Sequence, residues 1–440
     1  MRSSLQVLDR VEVVFDDDNA VGNGGLVLPM SLAGRLGVRE LVDELVDLGD
    51  APGRANVGLK TIGLIASALA GGDSIDDADV LRSGRSQTAI GAWMPAPSTL
   101  GTFLRSFSWA HARQLDAVAG RLLARAWAAG GGPGDSPLII DVDSTVCEVY
   151  GAKKQGARYG YTKTRGYHPL LAAAAGYGDV LGVRLRGGNA HTARGAASFL
   201  VESFGRARAA GASGPLALRA DSGFYSKNVV DACKKSDVAY SITVKMSKAL
   251  HKVISKIDET AWTPIPYWID GGADVAETTW KPFGRAEAVR LIVRRTKPTP
   301  GSQLALLAIY DYHAFITDRQ GETVALDADH RAHAGIELII RDLKEGAGWA
   351  HLPSGRFGAN AAWLAIGAIA HNLARWSARL GGMTDTKITT PTLRRRFIAI
   401  PGHVTRSARR TTMHLARDWP WRQAFLVALR AVRDLEVCLT

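Results

Sequence analysis

The chain has 440 residues, enough for two or three domains or for one large core with insertions, and 46% hydrophobic with 22% charged residues excludes wholesale disorder. Lys and Arg number 54 against 42 Asp and Glu, a formal charge of +12 that suits a polyanionic partner. Cys147, Cys233 and Cys438 lie too far apart for a CxxC metal knuckle and are too few for a disulfide scaffold.

The first residues, MRSSLQVLDRVEVVFDDDNA, carry acids where a signal peptide needs an apolar core, and no apolar run reaches the roughly 20 residues of a spanning helix. A soluble, cytoplasmic protein without a membrane partner is expected. Residues 1–130 are expected to be helical, because SLAGRLGVRELVDELVDL and LRSFSWAHARQLDAVAGRLLARAWAAG repeat apolar residues at spacings of three and four. GGGPGDSP at 130–137 ends that region, since Gly and Pro at this density cannot continue a helix.

The period then changes. LIIDVDSTVCEVY, GYHPLLAAAAGY and DVLGVRLRGG are three short apolar stretches that predict adjacent strands. A helix at 193–211, a strand PLALRADSGF at 215–224, a helix SKNVVDACKKS and a strand AYSITVKM follow, which describes a mixed α/β sheet covered by helices over 131–249. Residues 250–325 turn β-rich, with Trp262, Trp268 and Trp280 and the runs VRLIVRR and LALLAIYDYHAFIT, and are expected to form an inserted subdomain. Residues 326–382 return to helix, FGANAAWLAIGAIAHNLARWSARL being apolar on most faces and expected to be buried. The basic tail, 383–440, holds LRRRF and RSARR before a last amphipathic helix.

Charge is distributed unevenly along the chain. Residues 1–60 carry six basic and ten acidic side chains, whereas 371–440 carry thirteen basic and four acidic. A third block, Lys153, Lys154, Arg158, Lys163 and Arg165, has no acid within 151–170 and is interleaved with Tyr159, Tyr161 and Tyr167, a composition suited to a phosphate backbone or to a solvated loop.

The acids in LIIDVDSTV stand two apart, so a strand places Asp141 and Asp143 on one face and spacing does not choose between them. Asp221 closes the strand LALRADSGF, at the strand end where ligands of open α/β sheets bind. Glu337 and Lys344 are seven residues apart, about 20° from two full helical turns, with Arg341 between them on one stripe that also suits a surface ion-pair ladder. An acid at a strand centre, one at a strand end and one on a later helix suit Mg²⁺, which prefers carboxylate and water oxygens and keeps positions for phosphate. His330 and His333 are three apart but have no third nitrogen or sulfur ligand nearby for zinc. Cys147 has no His placed to activate it and fits a core position, and GGNAHTARG matches neither nucleotide-loop pattern.

With IIDVDSTVCEVYGAKKQGARYGYTKTRGYHPLLA at 139–172, LRADSGFYS at 218–226, HRAHAGIELIIRDLKEG from 330 and LPSGRFGANAAWL from 352, the chain resembles a DDE transposase of the IS1380 family, a relative of the IS4 group. The resemblance implies an α/β fold: an RNase H-like catalytic core with a mixed sheet flanked by helices, interrupted by the β-rich insertion and preceded by the helical region. It matches Asp143, Asp221 and Glu337 to the metal-binding catalytic acids and Lys344 to a catalytic lysine. It implies Mg²⁺, with Mn²⁺ as a substitute, DNA cleavage at terminal inverted repeats, and joining by attack of a 3′-OH. It further implies a homodimer that holds two ends and a target duplex. Lys153, Lys154, Arg158, Lys163, Arg165 and Arg341 are the expected DNA contacts, and the region 1–130 the expected end-binding or assembly region. Where the IS4-type signature has tyrosine and arginine, this chain has His330 and His333, and Leu338 replaces an asparagine. Histidine at those positions can still contact a phosphate when protonated, as a weaker cation than arginine at pH 7. Two competing readings are an impaired copy that only binds DNA and a metal-dependent nuclease that never joins.

Overall fold

The computed structural model describes residues 10–437 apart from 161, 268–271, 285–286, 297–309 and 384–387. Trp268, Tyr161, Cys438 and the first half of LALLAIYDYHAFIT lie outside the described residues.

The strands are β1 (Ala20–Val21), β2 (Leu138–Ser144), β3 (Cys147–Glu148), β4 (Arg158–Tyr159), β5 (Arg165–Tyr167), β6 (Leu170–Ala174), β7 (Val180–Arg184), β8 (Leu216–Ala220), β9 (Ala239–Val244), β10 (Thr263–Ile265), β11 (Ala273–Trp280), β12 (Val289–Thr296), β13 (Asp311–Thr317), β14 (Gly402–Ser407) and β15 (Arg410–Leu415). The central sheet has nine strands in the order β10-β11-β12-β13-β9-β8-β2-β6-β7. Within it β2, β6 and β7 form an antiparallel meander, and β8 and β9 add in parallel on the other side of β2. That five-strand order, with the helices Ala196–Ala209 and Lys227–Lys235 on the connections into β8 and β9, is the RNase H-like arrangement. The three adjacent strands expected after residue 137 are β2, β6 and β7.

The β-rich insertion is present, and its strands continue the main sheet. β13 pairs antiparallel with β9, and β12, β11 and β10 follow outward. An outer core of its own, centred on Ile265, Val275, Ile292, Phe315 and Leu326, sits under this extension.

The helix Trp109–Ala126 runs into a short π turn, Trp127–Gly131, inside which Gly130 takes a φ of +96°, a conformation only glycine adopts without strain. The helix Phe357–Leu380 is buried along nearly its whole length and packs on the helices Val57–Ala70 and Trp109–Ala126 as well as on β7. One hydrophobic core therefore runs from the N-terminal helices into the sheet. The hairpin β14–β15, which the sequence reading did not anticipate, pairs with β1, so residues near the two ends of the chain share a three-stranded sheet. Among the described residues no helix is long and apolar enough to cross a membrane.

Candidate active site

The parallel register of β2 on β8 runs from Leu138 opposite Leu216 to Val142 opposite Ala220. One step further it brings Asp143 and Asp221 to neighbouring strand ends. Asp143 is the penultimate residue of β2, not a mid-strand residue as expected; the middle of the strand is Asp141.

Asp141 and Asp143 share a face but not an environment. Asp141 is buried, and both its oxygens accept hydrogen bonds at 2.8 Å from Arg219 of β8, two residues before Asp221. His333 Nδ1 donates to the same carboxylate at 2.9 Å. Asp141 is thus committed to a buried charge cluster that Asp329 extends: Arg219 Nη1 donates to the Asp329 carbonyl at 2.6 Å, and Arg319 pairs with the Asp329 carboxylate. Asp143 is half-buried and accepts one bond, from the Ser144 N–H at 2.6 Å. Burial, together with the like charges of Asp221 and Glu337, pushes its carboxyl up to about 6, against the pull of the Ser144 bond and of His333. Spacing left two acids equivalent, and packing separates them.

Asp221 caps the short turn Ser222–Phe224 by accepting from the Gly223 N–H at 3.0 Å, and is exposed. The methyl of Thr192, in the GGNAHTARG loop, comes up against Gly223, so that loop borders the same edge. Gly188 in this loop lies where a Cβ would fall 2.2 Å from the Gly166 carbonyl and 2.3 Å from that of Arg158, and Arg186 gathers the loop by donating to the carbonyls of His191, Thr192 and Arg194. The glycine serves close backbone packing.

Glu337 stands exposed in the first turn of the helix Gly335–Gly346. This helix runs alongside β2. His333, just before it, meets Asp141, and Lys344, near its end, donates to the Val146 carbonyl at 3.0 Å. The spans match: residues 333–344 rise about 16 Å as helix, and 141–146 about 16 Å as strand. Glu337, one helical turn after His333, accordingly falls beside Asp143. No ion pair joins Glu337 to Arg341 or Lys344, so the surface ladder is absent.

A 3₁₀ turn at Ala332–Ala334 breaks the continuous helix expected from residue 330. His330 belongs to the preceding helix, Thr323–Arg331, and its ring stacks on Phe315 at 4.1 Å while its nitrogens meet Ser241 Oγ at 2.8 Å and Thr243 Oγ1 at 2.9 Å. Burial, reinforced by His333 and three nearby arginines, pushes it down to about 3, and with both nitrogens engaged by Ser241 and Thr243 it is not free to contact a phosphate. Arg331 is held by Asp327 at 2.9 Å.

The expected DNA contacts divide in two. Lys154 donates to the Leu352 carbonyl and Arg165 to those of Gly151 and Ala152, so these two hold their loop in place. Lys153, Arg158, Lys163 and Arg341 are exposed. Cys147 is buried, with its thiol pushed up to about 11 by burial, and is a core residue. Arg219, Asp329 and the role of His333 were not anticipated; an arginine inside the otherwise apolar strand LALRA was their signal.

The oxygen-only set of Asp143, Asp221 and Glu337, with the Asp143 carboxyl raised by burial and further by the charges of the other two, has the chemistry that Mg²⁺ neutralises. Among the described residues no three His, Cys, Asp or Glu side chains stand close enough together to clasp a metal as they are.

The family model for the Transposase DDE domain group 1 matches residues 4–437, and the chain belongs to that family. No curated protein matches it. Among solved structures, a piggyBac transposase synaptic complex with hairpin DNA aligns over 86% of this chain and 79% of its own, with 12% identity and a TM-score of 0.46.

Proposed function

We propose that this protein is an insertion-sequence transposase of the IS1380 type that cuts DNA at terminal inverted repeats and joins the freed 3′-OH to a target duplex. The observation that supports this reading is the register of β2 on β8, which sets Asp143 and Asp221 at neighbouring strand ends, with the charges of Asp221 and Glu337 adding to the upward push that burial gives Asp143. Asp143, Asp221 and Glu337 would hold the metal, Mg²⁺ or Mn²⁺, which would supply activation of the attacking oxygen and stabilisation of the leaving one.

The remaining residues position and bind. Arg219 and His333 fix Asp141, which sets the strand face carrying Asp143. Lys344, one helical stripe beyond Glu337, turns from the Val146 carbonyl to the phosphate beside the cut. Lys153, Arg158, Lys163 and Arg341 meet the flanking duplex, and Lys154 and Arg165 shape the loop that presents it. Two copies act together on paired ends.

The test is incubation of purified protein with labelled DNA carrying its own genomic flanks, a target duplex and Mg²⁺. Wild type is expected to cut and join, and Asp221→Asn to lose both by roughly a thousandfold, about 4 kcal/mol of transition-state stabilisation. Undiminished reaction in Asp221→Asn overturns the assignment. Cutting without joining identifies a nuclease, and binding without either reaction an impaired copy.

A further inference from the structure

The C-terminal hairpin is not used by the mechanism above. From Gly402 to Arg417 the chain contains Arg406, Arg409, Arg410 and Arg417, with His403 and His414, and no acid. The base of the ribbon is fixed. Val404 is buried, its N–H donates to the Asn19 carbonyl at 3.0 Å, and β1 pairs with the first residues of β14. The acidic run Asp16–Asp18 also lies at this base, where Asp17 meets His403 at 3.2 Å.

Beyond the base the ribbon is exposed from Thr405 to Arg410. The register pairs Thr405 with Thr412, Arg406 with Thr411 and Ser407 with Arg410. By strand alternation His403, His414, Thr405, Thr412, Ser407 and Arg410 share one face, which has no apolar side chain, while Val404 and Met413 turn to the body. Beyond its first residues this two-stranded ribbon packs no apolar side chain on the described residues. Its charge and its hydroxyl and imidazole groups match phosphates and base edges.

Size agrees. The segment from Val404 to Ala408 reaches about 13 Å, whereas a major groove is roughly 8.5 Å deep and about 12 Å wide and admits a two-stranded ribbon.

We infer that the hairpin β14–β15 is a second DNA-binding element, which inserts its arginine-bearing tip into the major groove of duplex DNA at a place separate from the carboxylate site. This rests on the transposase reading for the identity of the polyanion. The contact at the tip is by Arg409 and Arg410, with Arg406 exposed on the opposite face of the same tip, and the Thr405–Thr412 face lies along the groove.

The experiment uses the full chain in EDTA, so that catalysis plays no part, with duplex DNA of its genomic flanks. Binding is read by fluorescence anisotropy across salt concentrations, and guanine N7 methylation protection is read in parallel. The triple variant Arg406→Ala, Arg409→Ala, Arg410→Ala is expected to bind at least tenfold more weakly, to lower the salt slope by about two to three, and to lose major-groove protection at one patch. Lys234→Ala with Lys235→Ala, exposed cations on another face, serves as the charge control. Wild-type affinity and slope in the triple variant overturn the inference, as does an equal loss in the control. A wild type that fails to bind duplex DNA removes both the inference and the transposase reading. Binding intact in wild type and unchanged in the triple variant removes the inference alone.

Discussion

Asp143 carries an electrostatic cost that its neighbours impose. Its folded carboxyl is pushed up to about 6 from an ordinary 3.8, so the folded chain keeps a proton that the unfolded chain releases between those values. Stability contributed by that proton is present at pH 4 and below and is lost as pH rises toward 6. At neutral pH the deficit is about 2–3 kcal/mol. Asp143→Asn is therefore expected to raise the melting temperature of the metal-free protein at pH 7 and to give no gain at pH 4, measured by differential scanning fluorimetry at both values. A variant melting below wild type at pH 7 would contradict the argument. The same residue shows where sequence stops short: LIIDVDSTV displays two equivalent acids, and only the side chains packed above them, Arg219 from β8 and His333 from the later helix, consign Asp141 to a structural role. Those partners are 78 and 192 residues away, beyond any spacing rule.

Elements with strong periodicity were legible. The alternation and apolar runs gave β2, β6, β7, β8 and β9, and the buried character of the helix Phe357–Leu380 followed from its apolar faces. What failed was continuity and short pairing. The run from His330 read as one helix, but a 3₁₀ turn at Ala332–Ala334 sends His330 toward Ser241 and His333 toward Asp141. The hairpin β14–β15 lacks an extended apolar face, so its period of two has almost no hydrophobic signal. GGNAHTARG matched no nucleotide loop because its glycine answers to the backbone of β4 and β5. Gly188→Ala would force a methyl against two carbonyl oxygens that cannot yield. It is expected to cost about 1–3 kcal/mol, the usual penalty of overpacking, with faster hydrogen exchange confined to residues around 158–167. Unchanged exchange there would show that the loop is not clamped as described.

On the scale of the molecule, the N-terminal helices and the sheet share one hydrophobic core through the helix Phe357–Leu380. A chain lacking residues 1–126 would expose the flank of that helix, so it is expected to give no cooperative thermal transition by circular dichroism, whereas the full chain melts in one. A stable, cooperatively melting fragment would show that the helical front is an appendage. The domain divisions legible in the sequence at 130–137 mark a change of secondary structure within a continuous core.

The pairing of β1 with β14 has a consequence for biosynthesis. Ala20 leaves the ribosome long before His403, its partner, is made. At about 5–20 residues per second, the intervening chain takes about 20–80 s to synthesise. The first strand must wait unpaired through that interval, and the helix bearing Glu337 also arrives late. Completion of the fold is thus tied to synthesis beyond residue 402, and a product cut short before it retains all three carboxylates but not the strand that pairs with β1.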